Sequence, residues 1–208
     1  MDVLNLIELS LKSMNKDVTR LSSTIYRAEG KEIGYGSIKS KAELEESVTT
    51  NLVRRKYYER PFAYEFYHQF RKLSSNQDTY LEDFVIQAEV HKSYQNLFEK
   101  GTIPDFLIHV PNQNRNLVII EFKRAINLKE LPSDFDKLVR FKKHKWLQYE
   151  YAVEVIVGFD DDFRNYRKLI PVSNKQGEDI VVIEFSLDSW DTRRYTLKHD
   201  LSIDSALR

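Results

Sequence analysis

The sequence has 208 residues, with 32 Lys and Arg against 32 Asp and Glu, and so carries no formal net charge. This length predicts one domain with short additions, and the absence of cysteine excludes disulfide frameworks, thiolate zinc sites and cysteine nucleophiles. The apolar runs are far shorter than the ~20 residues that span a bilayer, and the first residues lack the basic segment of a signal peptide. We therefore expect a soluble, cytoplasmic protein with no membrane partner, in which nucleic acid could be held only by a local basic patch.

The N-terminal part of the chain predicts two helices separated by a loop. Apolar residues recur at helical spacing in residues 1–20 and again in residues 40–58. Between them, residues 21–40 hold three of the six glycines and predict a loop or a small hairpin.

The rest of the chain predicts a mixed sheet between helices. Pro61 suits the first turn of a helix that continues to Leu73, and a second helix is expected from Pro132 toward Trp146, with Ser133 as its cap. Strands are predicted over residues 84–94, 103–110, 117–123, 151–159 and 179–187. Residues 188–208 are polar and predict no element. The order of these elements defines an α/β fold, a mixed β-sheet flanked by helices.

Two acids and a lysine interrupt the apolar strands at 103–110 and 117–123. A turn centred near Gln113 places Asp105 opposite Glu121 with their Cβ atoms ~5 Å apart, and the strand period of two puts Lys123 on the same face as Glu121. Two carboxylates this close repel each other or share a proton unless a cation lies between them. Oxygen ligands favour Mg²⁺, or Mn²⁺ in its place. The alternative is an ordinary salt bridge of Lys123 with one acid at a solvated strand end.

These residues resemble the signature of the PD-(D/E)xK nuclease superfamily. Its two parts here are Ile103-Pro104-Asp105 and, after the hairpin, Ile120-Glu121-Phe122-Lys123-Arg124. The superfamily has a restriction-endonuclease-like fold with an αβββαβ core, and residues 61–159 give that order. The resemblance implies a Mg²⁺-dependent nuclease that hydrolyses phosphodiester bonds of nucleic acid, with DNA as the expected substrate.

The same resemblance implies roles for individual residues. Asp105 and Glu121 would hold Mg²⁺ together with the Phe122 carbonyl, and Lys123 would position the attacking water. Many members add a catalytic, metal-binding acid from the helix before the sheet, and Glu65 is the residue matched to it. Because this acid has no fixed spacing, three alternatives stay open: Glu46, Glu59 and Glu89.

Basic residues are concentrated on the helix predicted after the hairpin. Lys137, Arg140 and Lys143 lie there, and Lys137 matches a place where members of the superfamily often carry a substrate-contacting residue. We expect these three to bind the phosphates of a nucleic acid, with Trp146 and Tyr149 as an aromatic platform. A solvated helix face is the alternative.

Other catalytic patterns are missing from the sequence. The five histidines show no metal-ligand spacing, Gly34-Tyr35-Gly36 lacks the rest of a phosphate-binding loop, and there is no G-x-S-x-G nucleophile elbow. Asp160-Asp161-Asp162 lacks the alternating ligands of a calcium loop and predicts a solvated turn.

The predicted organisation has three parts: an N-terminal helix and loop (1–40), a PD-(D/E)xK nuclease-like domain (41–190) and a polar C-terminal extension (191–208). The alternative function is a catalytically silent module of the same fold that binds nucleic acid or a protein partner. Because a single metal site cuts one strand, a homodimer is a further expectation.

Overall fold

The computed structural model describes residues 2–16, 24–28, 31–33, 53–55, 59–75, 81–88, 103–111, 113–127, 129–166 and 177–199. The elements in these ranges are, in chain order, α1 (Val3–Lys12), β1 (Thr24–Ala28), β2 (Lys31–Ile33), β3 (Val53–Arg55), α2 (Glu59–Ser75), β4 (Val85–Ala88), β5 (Phe106–His109), β6 (Asn116–Arg124), α3 (Leu131–Lys143), β7 (Tyr151–Gly158), α4 (Asp160–Tyr166), β8 (Glu178–Ser186) and β9 (Thr192–His199).

A six-stranded mixed sheet forms the centre of the fold, with the strand order β4-β5-β6-β7-β8-β9. The first three strands are antiparallel neighbours, β7 and β8 continue parallel to β6, and β9 returns antiparallel to β8. Parallel strands need crossover connections, and α3 and α4 lie in the two connections here. The predicted α/β fold with helices on a mixed sheet is thereby confirmed.

Helices cover both faces of this sheet, which explains why its central strands are apolar on both sides. On one face α1 and α2 pack through residues such as Ile7, Phe62 and Phe66, which form one core with Phe122 of β6. On the other face α3 forms a second core around Leu138. Among the described helices none is long and apolar enough to cross a membrane.

Most of the predicted elements are confirmed where the structure describes them. α1 lies within residues 1–20, and β1 and β2 pair as an antiparallel hairpin within 21–40. Both central helices and the strands β4 to β8 also lie where the apolar patterns predicted them.

The helix predicted over residues 40–58 is wrong at Val53–Arg55. This segment is β3, which pairs antiparallel with β1, while residues 40–52 and 56–58 lie outside the described residues. Apolar spacing reports only local regularity, and the pairing partner of β3 lies far away in the sequence.

The predicted cap of α3 is wrong, although its predicted start at Pro132 is within one residue of the observed one. The helix begins at Leu131, with Pro132 in its first turn. The Ser133 hydroxyl donates to the Glu130 carbonyl instead of accepting from a backbone N–H, so Ser133 does not cap the helix.

Two elements of the C-terminal part were not predicted. The predicted solvated turn at residues 160–162 is instead the first turn of α4, which contains Asp160, Asp161 and Asp162. The partial positive charge of a helix N-terminus favours acidic residues in this position. β9 lies within the stretch that predicted no element. Its Tyr195 and Leu197, two residues apart, pack against the core on the α3 side of the sheet, and that alternation is the signal that was missed.

The division into residues 1–40, 41–190 and 191–208 stays a prediction. Two of its outer elements nevertheless pack with the central sheet. α1 buries Val3, Leu6, Ile7 and Leu11 in the core that it shares with α2, and β9 hydrogen-bonds along the length of β8.

Candidate functional site

The β5–β6 hairpin brings the two predicted acids together. Phe106 pairs with Ile120 and Ile108 with Val118, which is the predicted register, and one step further Asp105 comes opposite Glu121. Asp105 Oδ2 accepts a hydrogen bond of 2.7 Å from the Phe122 backbone N–H. This bond turns the Asp105 carboxylate toward β6. The negative charge of Asp105 is close enough to Glu121 to raise the Glu121 pKa.

The Glu121 carboxyl is almost completely buried on β6. Its Oε2 accepts a 2.7 Å hydrogen bond from the Lys137 ammonium on α3, whereas its Oε1 is buried with no hydrogen-bond partner among the described residues. Burial and the charge of Asp105 together raise the Glu121 pKa to about 8, against the opposing effect of Lys137. At neutral pH this carboxyl is therefore mainly protonated in the absence of a cation.

Lys123 lies beside this pair, but its ammonium is held by other acids. Its Nζ is 2.9 Å from Asp134 Oδ2 and 3.0 Å from Glu130 Oε2. Burial acts to lower the Lys123 pKa, but the attraction of these two acids outweighs burial and raises it. The ammonium consequently keeps its proton at physiological pH, so Lys123 can donate hydrogen bonds but is a poor base.

The helix acid nearest the hairpin is Glu59, one of the three alternatives, at the first residue of α2. Its pKa is raised by burial and, more weakly, by the charge of Asp105, while Lys123 lowers it. Glu59 also lines a cavity together with Asp105. These interactions place Glu59 at the site.

Glu65, the residue matched to the helix acid, lies elsewhere on α2. Its Oε1 accepts hydrogen bonds from the Asn15 backbone N–H and from the Gln69 amide. Because Glu65 is six residues beyond Glu59, the period of 3.6 turns it to a different side of the helix. The structure thus brings Glu65 to α1 and not to the hairpin acids. Glu46 and Glu89 lie outside the described residues.

One acid at the site was missed from the sequence. Glu154 of β7 is the register partner of Glu121 and is fully buried, with neither carboxylate oxygen hydrogen-bonded by a described residue. Burial raises its pKa well above the ordinary value, and the charges of Asp134 and Glu121 add to this effect. A lone acid inside an apolar strand was the available signal, the same one that identified Asp105 and Glu121.

The three residues predicted to bind nucleic acid do not share one environment. Lys137 points into the site, where it also lies 3.5 Å from the Ile103 carbonyl and 3.8 Å from Asp134. Arg140 is half-buried on α3, and Lys143, the last residue of that helix, is exposed. Of the predicted platform, Trp146 is exposed beside Lys145. The prediction is wrong for Tyr149, which is buried against Phe141 in the core on the α3 side of the sheet.

The oxygen ligands that the site offers are of the chemical type that hard divalent cations such as Mg²⁺ prefer. Asp105 and Glu121 supply carboxylate oxygens, and the unpartnered Glu121 Oε1 is the atom that a cation would satisfy. Within the described ranges, no group of three or more His, Asp or Glu side chains is arranged to hold a metal ion. The ligand roles of Asp105, Glu121 and the Phe122 carbonyl therefore stay predictions.

Comparison with protein-family models, curated proteins and solved structures finds no significant match to this chain. Its function must accordingly be inferred from the geometry of the site.

Proposed function

We propose that this chain is a Mg²⁺-dependent nuclease of the PD-(D/E)xK type, acting on DNA. The observation that carries the proposal is the pair formed by half-buried Asp105 and buried Glu121 at one end of the hairpin, flanked by two lysine ammonium groups. Opposed carboxylates inside a sheet are costly unless a cation or a proton neutralises them. A site that tolerates this cost is a candidate for function.

The order of elements supports the same proposal. The described chain runs α2, β4, β5, β6, α3 and β7 through the site, which is the αβββαβ order of the restriction-endonuclease-like core. β6 and β7 are parallel neighbours, and Glu121 lies near the carboxyl end of β6. Ligands of open α/β sheets bind at the carboxyl ends of parallel strands.

Asp105, Glu121 and the Phe122 carbonyl are the groups that would hold Mg²⁺, with Glu59 in place of Glu65 as the acid from the helix. The bound ion would neutralise the charge of the scissile phosphate. Lys123 donates a hydrogen bond to the attacking water or to the phosphate oxygens, since its raised pKa makes it a poor acceptor of the water proton. Lys137 holds Glu121 in place and adds positive charge beside the phosphate.

The alternative function, a catalytically silent module of the same fold, has one observation in its favour. The Lys123 ammonium lies 2.9 Å from Asp134 Oδ2 and neutralises it, while Glu121 accepts a hydrogen bond of 2.7 Å from Lys137 and is kept uncharged by its own proton. A site that is balanced internally in this way needs no cation to be stable. Binding of nucleic acid in EDTA, without cleavage in Mg²⁺ or Mn²⁺, is the result that would support it.

Degradation of plasmid and single-stranded DNA in Mg²⁺, Mn²⁺ or EDTA tests the proposal. We expect cleavage in Mg²⁺ and none in EDTA. Asp105→Asn, Lys123→Ala and Glu59→Gln should each lower the rate by about a hundredfold or more, the usual cost of removing a charged group that acts at the transition state.

Glu65→Gln is the matched control, because it changes the same group on the same helix away from the site. It should cleave like the parent protein. Cleavage that persists in both Asp105→Asn and Lys123→Ala would exclude the proposed site. Cleavage lost in Glu65→Gln but kept in Glu59→Gln would restore the original assignment of the helix acid. Thermal unfolding of each variant shows whether it is folded.

A further inference from the structure

A cavity of about 180 Å³ lies between the first turns of α2 and the edge of the sheet. The acids Glu59 and Asp105 form one part of its lining, and Ala63, Ala88 and Phe106 form the apolar part. The cavity is therefore continuous with the site already described, and it is large enough for one aromatic ring, since an apolar cavity of about 150 Å³ binds benzene.

Two exposed side chains of α2 complete this lining. Tyr64 has an exposed fraction of 57%, which Trp146 equals and no other described large hydrophobic residue exceeds. Arg60 is also exposed and lies one helical turn before it, so the two project from the same side of α2. An exposed tyrosine next to a guanidinium is the combination that stacks a base and contacts its phosphate.

The apolar lining of the cavity favours a base over a phosphate inside it. Ala63, Ala88 and Phe106 offer no hydrogen-bond donor to an anion, whereas a nucleobase is neutral and has a ring face for Tyr64. The scissile phosphate would lie at the ion held by Glu59 and Asp105, and the next phosphate within reach of Arg60. A base that is paired and stacked in a duplex can enter only after it is extruded, which costs free energy, while an unpaired base enters without that cost.

We propose that this cavity receives one unpaired nucleobase beside the scissile phosphate, stacked on Tyr64. The substrates would then be single strands, flaps or frayed ends, and continuous duplex would be a poor substrate. This inference rests on the proposed nuclease function, because it assigns the substrate class of that same site.

The test measures binding apart from cleavage. Fluorescence anisotropy is recorded in Ca²⁺ with labelled DNA of one sequence in three forms: blunt duplex, duplex with an unpaired tail, and single strand. We expect the tailed and single-stranded forms to bind about tenfold tighter than the blunt duplex. Tyr64→Ala should remove that advantage, since stacking on one aromatic ring accounts for an effect of this size, and Tyr64→Phe should keep it.

His68→Ala is the control, because His68 is exposed one turn further along α2, and it should bind as the parent protein does. Equal affinity for blunt and tailed DNA, or equal affinities of Tyr64→Ala and His68→Ala, would overturn the inference. Cleavage in Mg²⁺ is measured separately. A Tyr64-dependent preference without cleavage would contradict the nuclease and leave the base site standing, whereas cleavage without that preference would contradict the base site alone.

Discussion

The proton on Glu121 connects the burial of this residue to cation binding. Its carboxyl holds a proton up to a pH of about 8, because burial and Asp105 disfavour its charge. At the proposed Mg²⁺ site a divalent cation would bind the ionised form, so its binding below that pH would release the proton. We expect the affinity for Mg²⁺ to rise by up to about tenfold per pH unit toward pH 8 and to level off above it.

Titration calorimetry measures this linkage. Repeated near pH 7 in two buffers of different ionisation enthalpy, it should report the release of close to one proton per Mg²⁺ bound. Glu65→Gln should release the same number, because Glu65 lies away from the site, and Glu121→Gln should release fewer. An affinity that stays flat between about pH 6 and pH 8 would show that Glu121 does not take part.

How much of the site could be predicted depended on the range of each interaction. Asp105 and Glu121 were placed opposite each other by a hairpin turn and the strand period alone. The choice between Glu59 and Glu65 depended on which side of α2 packs on the sheet. Glu65 was matched to the helix acid, whereas the structure places Glu59 beside the hairpin. The partners of Lys123 come from α3, and no local pattern reports how a helix docks beside a strand.

The elements followed the same rule. Helices and strands with a strong apolar pattern, such as α2 and β6, were predicted because their own residues determine what they bury. β3 and β9 have weak patterns and exist because they pair with β1 and β8. Backbone hydrogen bonds supplied by a partner strand outweigh the small local preferences of such segments. For that reason both were missed.

α1 offers a test of how far the N-terminal part belongs to the central core. Ile7 is fully buried in the core shared with α2, whereas Leu9 on the same helix has an exposed fraction of 38%. Ile7→Ala should lower the free energy of unfolding by about 2–5 kcal/mol, the usual range for a buried aliphatic side chain, and Leu9→Ala by much less. Urea denaturation followed by circular dichroism measures both.

A single cooperative transition in Ile7→Ala, at lower urea, would show that α1 unfolds with the sheet. The Trp190 side chain, which follows β8, should report the same transition by fluorescence, because its Nε1–H donates to the Lys12 carbonyl at the end of α1. Two separate transitions, or an unchanged midpoint, would show that α1 is an independent addition.

At the scale of the whole molecule, helices cover both faces of the sheet, so acidic side chains on its central strands are shielded from water. Glu121, Glu154 and Glu184 are all buried, on the neighbouring strands β6, β7 and β8. Glu184 accepts a hydrogen bond from the Tyr195 hydroxyl. Glu154 has no such donor among the described residues, so it should be the acid that most affects the pH dependence of stability.

The pKa of Glu154 is raised by burial above its ordinary value of 4.5. A carboxyl with a raised pKa contributes stability that is fully present below the unfolded-state pKa and is lost as the pH rises toward the folded-state pKa. In EDTA, the free energy of unfolding should therefore fall as the pH rises above about 5, by up to about 1.4 kcal/mol per pH unit from this group. Glu154→Gln cannot ionise, so this variant should show a smaller fall in stability and be more stable than the parent at pH 8.

Glu184→Gln is the control, because it alters a hydrogen-bonded acid one strand away, and it should not gain stability. Urea denaturation across this pH range measures all three proteins, and a parent and Glu154→Gln that fall in parallel would show that Glu154 ionises freely in the folded state.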